Sequence, residues 1–362
     1  MPSNSILRIL LIPFSLLYGI IIFIRNWLYD TGYLKTIEFD FPVICVGNLS
    51  MGGTGKTPHV EYLIRLLSEK FRIAVLSRGY QRRTHGYLQA EINSTADAVG
   101  DEPALLKRKY PHVAVAVCED RALGVPRLLS SFPQADVVIL DDAFQHLAIR
   151  AGLNILLTRY DNLFTRDYLL PAGTLREFRN ASKRAEFIVV TKCPRDLSES
   201  EKEAIRREIA PARTQLVFFS YLNYGQPYLF TDTSVRLTFQ SNYEVMLISG
   251  IASSVHLKDY IRPQVKQLYA YDFSDHHFFT RNDMEQITEA FGNIEAENKL
   301  LLTTEKDVIR LLPFRQWVIE KNLPIFAQPV SVEFFEEDKT LFDGEITGWL
   351  EKLKSLKGSF TN

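Results

Sequence analysis

Residues 47–58 read "GNLSMGGTGKTP", and this glycine-rich stretch constrains the fold more than any other part of the chain. It follows the apolar run "PVICV" and runs into Pro58, which suits the first turn of a helix because its missing N–H has no helical partner to lose. Strand, glycine loop and helix in that order are the frame of a phosphate-binding loop. Gly52, Gly53 and Gly55 let backbone N–H groups approach phosphate oxygens at the positive end of the helix. The usual pattern is glycine, four residues, then Gly-Lys-Ser/Thr. Gly55-Lys56-Thr57 complete it, but Ser50 stands at the place of the first glycine. The stretch Ser50, Met51, Gly52, Gly53, Thr54, Gly55, Lys56 and Thr57 is expected to hold a nucleotide. Lys56 is placed on the β- and γ-phosphates and the Thr57 hydroxyl on Mg²⁺.

Around this loop, short apolar runs recur: "RIAVLSRG", "VAVAVCED", "DVVILDDA", "NILLTRY", "EFIVVTK" and "QLVFFSY". They alternate with helix-like segments, and unbroken apolar strands imply burial on both faces. The expectation is an α/β fold, a doubly wound parallel sheet of the P-loop NTPase type, as the core of residues 31–222. The turn-rich stretch 223–235 reads as a linker. A second strand–helix alternation places a smaller α/β domain over 236–362. A chain of 362 residues exceeds the roughly 250–300 over which single cores stop growing, in keeping with two domains.

The N-terminal 1–30 differ. "ILLIPFSLLYGIIIFI" (9–24) carries no charge, lies between Arg8 and Arg25, and is followed by Trp27 and Tyr29. The run is short of the roughly 20 residues of a full span and contains Pro13. Basic ends and interfacial aromatics favour a helix lodged in a membrane, with crossing and surface insertion both open, over a buried core helix. Elsewhere, 42 basic residues against 43 acidic ones give no bulk charge for nucleic acid, so no nucleic-acid partner is expected. Cys45, Cys118 and Cys193 are far apart in apolar runs and read as buried thiols, not metal ligands.

A phosphoryl-transfer site also needs a carboxylate for the metal, and "DVVILDDAFQH" supplies Asp141 and Asp142 at a strand end; adjacent residues of a strand point opposite ways, so one is expected to face Mg²⁺. Asp101 in "VGDEPALLKRK" is a candidate base, and equally a helix N-cap. Glu102 beside it is a candidate for substrate, Mg²⁺ or the helix dipole. Arg176 and Arg121 have the guanidinium fork that suits phosphate. Gln145 and His146 are candidates for the metal and substrate side, and Arg78 and Tyr80 for the sugar. "VVTKCPRD" places Pro194 where guanine-binding signatures carry aspartate, which leaves ATP preferred over GTP.

Together the motifs resemble the bacterial tetraacyldisaccharide 4′-kinase family. The glycine loop is followed in order by "SRGY" (77–80), "GDEP" (100–103), "DDAFQH" (141–146), "LPAGTLRE" (170–177), "DHHFF" (275–279) and "TTEKD" (303–307). Ala143 stands where the family pattern has glycine, and Thr174 where it has proline or a basic residue. The resemblance implies transfer of the γ-phosphate of ATP to the 4′-hydroxyl of a tetraacyl glucosamine disaccharide 1-phosphate, forming lipid IVA. It also implies Asp101 as base, assisted by the histidine of the "DHH" block. His276 is the first choice and His277 the alternative. The implied partners are the lipid A precursor and a membrane surface, at the cytoplasmic face of the bacterial inner membrane, with no protein partner. Two rival readings are an ATP-dependent ligase of the dethiobiotin-synthetase type and a GTPase-like switch.

Overall fold

The computed structural model describes residues 5–358. Its first strands are β1 (Ile37–Glu38), β2 (Val43–Asn48), β3 (Ile73–Ser77), β4 (Leu88–Gln89) and β5 (Ala114–Val117). They are followed by β6 (Val137–Asp141), β7 (Ile149–Arg150), β8 (Leu153–Arg159), β9 (Phe187–Thr191) and β10 (Leu216–Tyr224). The remainder are β11 (Tyr228–Leu229), β12 (Glu244–Ser249), β13 (Gln267–Asp272), β14 (Lys299–Thr304), β15 (Ile325–Gln328) and β16 (Val330–Phe334). β1 and β7 pair as a small separate ribbon.

The main sheet runs β16-β10-β9-β8-β2-β6-β3-β5-β4. Its seven inner strands are parallel and its two edge strands antiparallel. Because alternate side chains leave opposite faces of a strand, each strand feeds two cores. Ile44 and Val46 of β2 enter one, with Val75 and Ile139; Val43 and Cys45 enter the other, with Leu76 and Leu140. Burial of each such aliphatic side chain contributes about 1.5–3 kcal/mol. The apolar runs of the sequence are thus buried strands with helices over both faces. From β2 the chain crosses to β3 and β5, then returns to β6 and β8 on either side of β2. Loops leaving the C-terminal ends at such a reversal diverge and open a crevice, and the glycine loop lies in it.

A second sheet, β11-β15-β14-β12-β13, is parallel apart from its β11 edge and repeats the two-core pattern. One expected boundary is corrected. Residues 236–362 do not form one unit, because β16 pairs antiparallel with β10 of the main sheet. Pro329 interrupts what reads as one apolar run and redirects the chain between the sheets. In the closing helix Glu336–Gly358, Phe342, Ile346 and Leu350 recur every four residues on one face and fill the first core. The expected linker is also structured in part, since it holds the end of β10 and all of β11. Residues 1–4 and 359–362 of the expected ranges lie outside the described residues.

Helix Ser5–Asp30 is the one described helix long and apolar enough to cross a membrane. Ser15, Gly19 and Ile22 make a buried stripe against the body, whereas Leu10, Phe14, Leu17 and Ile21 are about 60% exposed. Ser15 Oγ donates to Leu169 O (3.1 Å) and Tyr18 Oη to Arg176 O (2.9 Å), while Arg25 pairs with buried Glu177.

Candidate active site

The glycine loop closes over β2 as its sequence dictates. Gly55 sits at φ +90°, a left-handed conformation that glycine adopts without strain, and the helix Lys56–Leu67 starts immediately after it. Neighbouring elements hold the loop in place. Met51 N donates to Thr174 O (2.8 Å) and Thr191 Oγ1 to Thr54 O (2.9 Å). His59 Nδ1–H donates to Gly55 O (2.7 Å), and its Nε2 accepts from Ser220 Oγ (3.1 Å). Burial pushes the His59 pKa down to about 4, in keeping with this neutral form. Ser50, at the place of the usual glycine, forms an antiparallel backbone bridge with Leu175.

Lys56 Nζ lies 3.3 Å from Asn48 Oδ1 and 3.6 Å from Asp142 Oδ2. Arg176 donates from Nη2 to Asp142 Oδ1 (2.9 Å) and also bonds Asn48. Although burial raises it, Asp142 is held down at about 2 by Lys56, Arg176 and Arg121. Its neighbour behaves oppositely: burial and the Asp142 charge push Asp141 up to about 6. Asp141 Oδ1 is buried and accepts no hydrogen bond among the described residues. A buried carboxylate oxygen with an open lone pair, at the strand end beside the loop that carries Thr57, fits a divalent cation or its water. Arg121, expected on substrate phosphate, is instead a buried brace. It donates to the carbonyls of Asp142 (3.1 Å) and Glu119 (3.1 Å) and supports the left-handed turn at Asp142, φ +51°. Gln145 donates to Asn48 O (2.7 Å), and His146 is 3.5 Å from Asp120.

Asp101 is assembled by two further motifs. Gly79 of "SRGY" and Gly100 of "GDEP" both have positive φ, and a Cβ on Gly100 would lie 3.2 Å from Gly79 Cα. A side chain at Gly100 would crowd this approach, and one at Gly79 would run into Arg82 and Val99 O. The helix Asp101–Lys109 is capped by Gly100, so Asp101 is its first residue and the N-cap reading does not hold. Its Oδ2 receives His276 Nδ1–H at 3.0 Å from the second sheet's unit; an ionised carboxylate only accepts, so the proton is on the ring nitrogen. Arg310 Nε (3.1 Å) and Nη2 (2.5 Å) donate to the same oxygen. Burial would raise the Asp101 pKa, but the hydrogen bonds from Glu102 and His276 and the charges of Lys306 and Arg310 hold it well below the usual range. Against the cost of burial, the Asp101 hydrogen bond raises the His276 pKa. Glu102 pairs with Lys306 at 2.6 Å, yet burial pushes its pKa up.

The two histidines divide. His276 turns to Asp101 at φ +58°, whereas His277 donates to Asp283 (2.9 Å) and stacks on Phe273 at 4.5 Å between centroids. Of the two expected candidates, His276 is the ring that reaches Asp101, and His277 is engaged within its own unit. Tyr80 is exposed and its ring lies 5.2 Å from that of His276; Arg78 is exposed nearby. His276, Lys306 and Arg310 of the second unit meet Asp101 and Glu102 of the first, and the Lys306 charge also reaches Asp141. Ala252 of the second unit lies close to Gly53 of the loop. Sequence reasoning assigned no role to Asn48, His59 or Arg310, and reached Lys306 only as a member of a motif. "TTEKD" pointed at Lys306, but nothing local marked the residue three positions after that block.

Beside the cleft, an apolar groove of about 700 Å³ lies between helix Ser5–Asp30 and residues 167–180, with Leu16, Phe23, Leu175 and Phe178 in its wall. Leu175 faces it and the next residue, Arg176, reaches Asp142. The three cysteines are buried and unpaired, and burial pushes Cys45 and Cys193 up to about 12.

A glycine loop at a sheet's switch point, an acidic strand end and a buried aspartate with a histidine across a cleft define a P-loop phosphotransferase. Comparisons with known proteins narrow this class. The profile of the tetraacyldisaccharide-1-P 4′-kinase family matches residues 7–347, and the chain belongs to that family. The tetraacyldisaccharide 4′-kinase of Bacteroides thetaiotaomicron is 41% identical over 353 residues, 94% of this chain and 93% of its own length. That of Flavobacterium johnsoniae is 44% identical over 307 residues, 85% of this chain and 88% of its own. Among solved structures, the "apo" form of LpxK from Aquifex aeolicus in complex with ATP superposes with a TM-score of 0.70 at 33% identity, covering 92% of this chain and 97% of that one. The chain is therefore a kinase.

Proposed function

We propose that the chain transfers the γ-phosphoryl group of ATP to the 4′-hydroxyl of a tetraacylated glucosamine disaccharide 1-phosphate. The observation that carries the assignment of roles is the 3.0 Å contact of His276 with Asp101, made across the cleft between the units. Phosphoryl transfer demands mainly positioning and charge neutralisation, with a carboxylate to receive the hydroxyl proton. Asp101 receives that proton, and His276 orients it. Lys56 leaves Asp142 for the β- and γ-phosphates, to which Arg176 adds its charge. Thr57 and Asp141, with Asp142 behind them, would hold Mg²⁺, whose chemistry is to neutralise phosphate charge. Glu102 is engaged by Lys306 and serves the cleft as part of that ion pair. Arg78, Tyr80, Gln145 and His146 line the approach of the sugar, and Arg121 keeps the Asp141–Asp142 turn in shape.

The lipid side follows from the groove. Acyl chains lie along the apolar wall at Leu175 while the headgroup meets Arg176 one residue on. Arg8 stacks on Tyr168 and Arg25 pairs with Glu177, so helix Ser5–Asp30 rests on the body over most of its length. That packing favours a helix inserted in the membrane face over one that crosses it. Leu17→Glu with Ile21→Glu leaves the body contacts intact and is expected to move the protein from the membrane fraction to the supernatant.

The test of the reaction uses full-length protein in detergent with ATP, Mg²⁺ and the tetraacylated disaccharide 1-phosphate, followed by mass spectrometry of the lipid. One phosphate is expected on the distal sugar, with kcat reduced on the order of 10²–10⁴-fold in Asp101→Asn. ATP turnover without lipid modification would return the ligase or switch readings.

A further inference from the structure

Arg310 belongs to none of the motifs by which the site is legible, yet its guanidinium makes four hydrogen bonds in the cleft. It lies on the helix Glu305–Leu311 of the second unit, with about 1% of its side chain exposed. Two of its nitrogens are on Asp101 Oδ2. The third, Nη1, donates to Gly250 O (2.8 Å) and to Asp307 Oδ1 (2.9 Å). Gly250 O also accepts from the backbone N–H of His276 (3.0 Å). Asp307 is fixed in turn by Thr304 Oγ1 (2.6 Å) and Gly250 N (3.2 Å). One rigid guanidinium therefore touches the candidate base directly and, through one carbonyl, the turn that presents its histidine.

A buried ion pair of this kind is weak evidence for stability, because desolvating both charges offsets most of their attraction. Its value lies in fixing geometry. The planar fork holds Asp101 Oδ2 from two nitrogens at once, and an ammonium cannot reproduce that with a single point charge. Lys306, one helical turn earlier on the same face, pairs with Glu102 beside Asp101, so the helix registers two adjacent carboxylates against two cations.

We propose that Arg310 is a positioning residue for phosphoryl transfer: it locks the Asp101 carboxylate to the His276 turn, so that the base is set only while the two units are docked. This rests on the reading of Asp101 as base. The same kinase assay tests it on Arg310→Met, His276→Ala and the double variant, with Lys109→Met as reference. Lys109 also joins the units, through Glu305 at 2.9 Å, but does not touch Asp101. Arg310→Met is expected to lower kcat on the order of 10²-fold, the scale of a small misplacement of a reacting group. KM for ATP should stay within about twofold, because the loop contacts are untouched. Removing His276 should then cost less in the Arg310→Met background than in the wild type, since the two act on one carboxylate oxygen.

Equal kcat losses in Arg310→Met and Lys109→Met, or additive losses of Arg310 and His276, overturn the proposal in favour of a mere strap. Should Arg310→Met not fold, Arg310→Lys is read in its place: a lowered kcat at unchanged KM supports positioning, and a wild-type kcat overturns it. The underlying reading fails separately. If Asp101→Asn keeps turnover, Asp101 is not the base; if Asp101→Asn is dead while Arg310→Met is fully active, only the role of Arg310 falls.

Discussion

Two adjacent acidic pairs face one cleft, and they solve the same electrostatic problem with cations from different places. At Asp141–Asp142 the nearest counter-charges, Lys56, Arg176 and Arg121, come from the first unit, and Lys306 of the second reaches Asp141 only at a distance. At Asp101–Glu102 they come from the second: Lys306, Arg310 and His276. In each pair one member is held low by its partners while burial raises the other. Environments that drive neighbouring titratable groups apart are how one site assigns different tasks to similar residues. The first pair takes its direct partners from its own unit and suits the phosphates and their metal. The second exists only when the units meet and suits a step that must wait for both substrates.

The comparison breaks most sharply at Lys56. Lys56→Met should reduce kcat on the order of 10²–10³-fold, as for loss of one preorganised charge on a transferring group. ATP binding should weaken with it, because the proposed function gives this pair to the nucleotide. Equilibrium dialysis with ATP checks the second half: unchanged affinity would detach Lys56 from the phosphates.

The first pair can also be read in the free protein. Asp141 has a folded pKa of about 6 against 3.8 for the exposed group, so it binds a proton more readily folded than unfolded. Its charge therefore weakens the fold above pH 6, and stability recovers as pH falls from 6 towards 4. Asp142 has the opposite sign: held at about 2, it contributes stability above pH 3.8 that is lost on further acidification. Asp141→Asn is expected to raise stability at pH 8 by up to about 3 kcal/mol, two pKa units' worth for a fully buried group. The gain should vanish near pH 4. Urea unfolding across that range decides it, and a gain that does not depend on pH would mean packing, not charge.

How far the sequence foretold these two pairs differs for a physical reason. The first is built from short-range grammar: apolar strand, glycine loop and Asp-Asp at a strand end are contiguous, and each half dictates its own local backbone. His59 escaped notice because its work is done on a carbonyl four residues back and a serine on β10, neither of which leaves a pattern. The second pair is assembled from residues 101, 276, 306 and 310, whose meeting depends on how two sheets dock. The "DHH" block announced a histidine, but only the turn at His276, with φ +58°, decides which ring enters the cleft. The return of β16 to the main sheet was hidden likewise, because a five-residue strand after Pro329 reads the same whichever sheet it joins.

Lys306 is where the comparison can be made finest, since its charge acts on both pairs. Its direct partner among the described residues is Glu102; Asp101 and Asp141 feel it at a distance. Lys306→Met removes the counter-charge of a buried carboxylate, and Glu102 should respond by taking a proton more readily. Asp101 keeps Arg310 and His276, so its placement survives. The expected loss in kcat is about tenfold, equivalent to about 1.4 kcal/mol and the size of a long-range charge contribution, with KM for ATP unchanged. Loss as deep as that of Arg310→Met would show that net charge in the cleft, and not the contact on Asp101, governs the second pair. A loss shared by kcat and ATP affinity would instead make Lys306 a member of the first pair, reached across the cleft from the other unit.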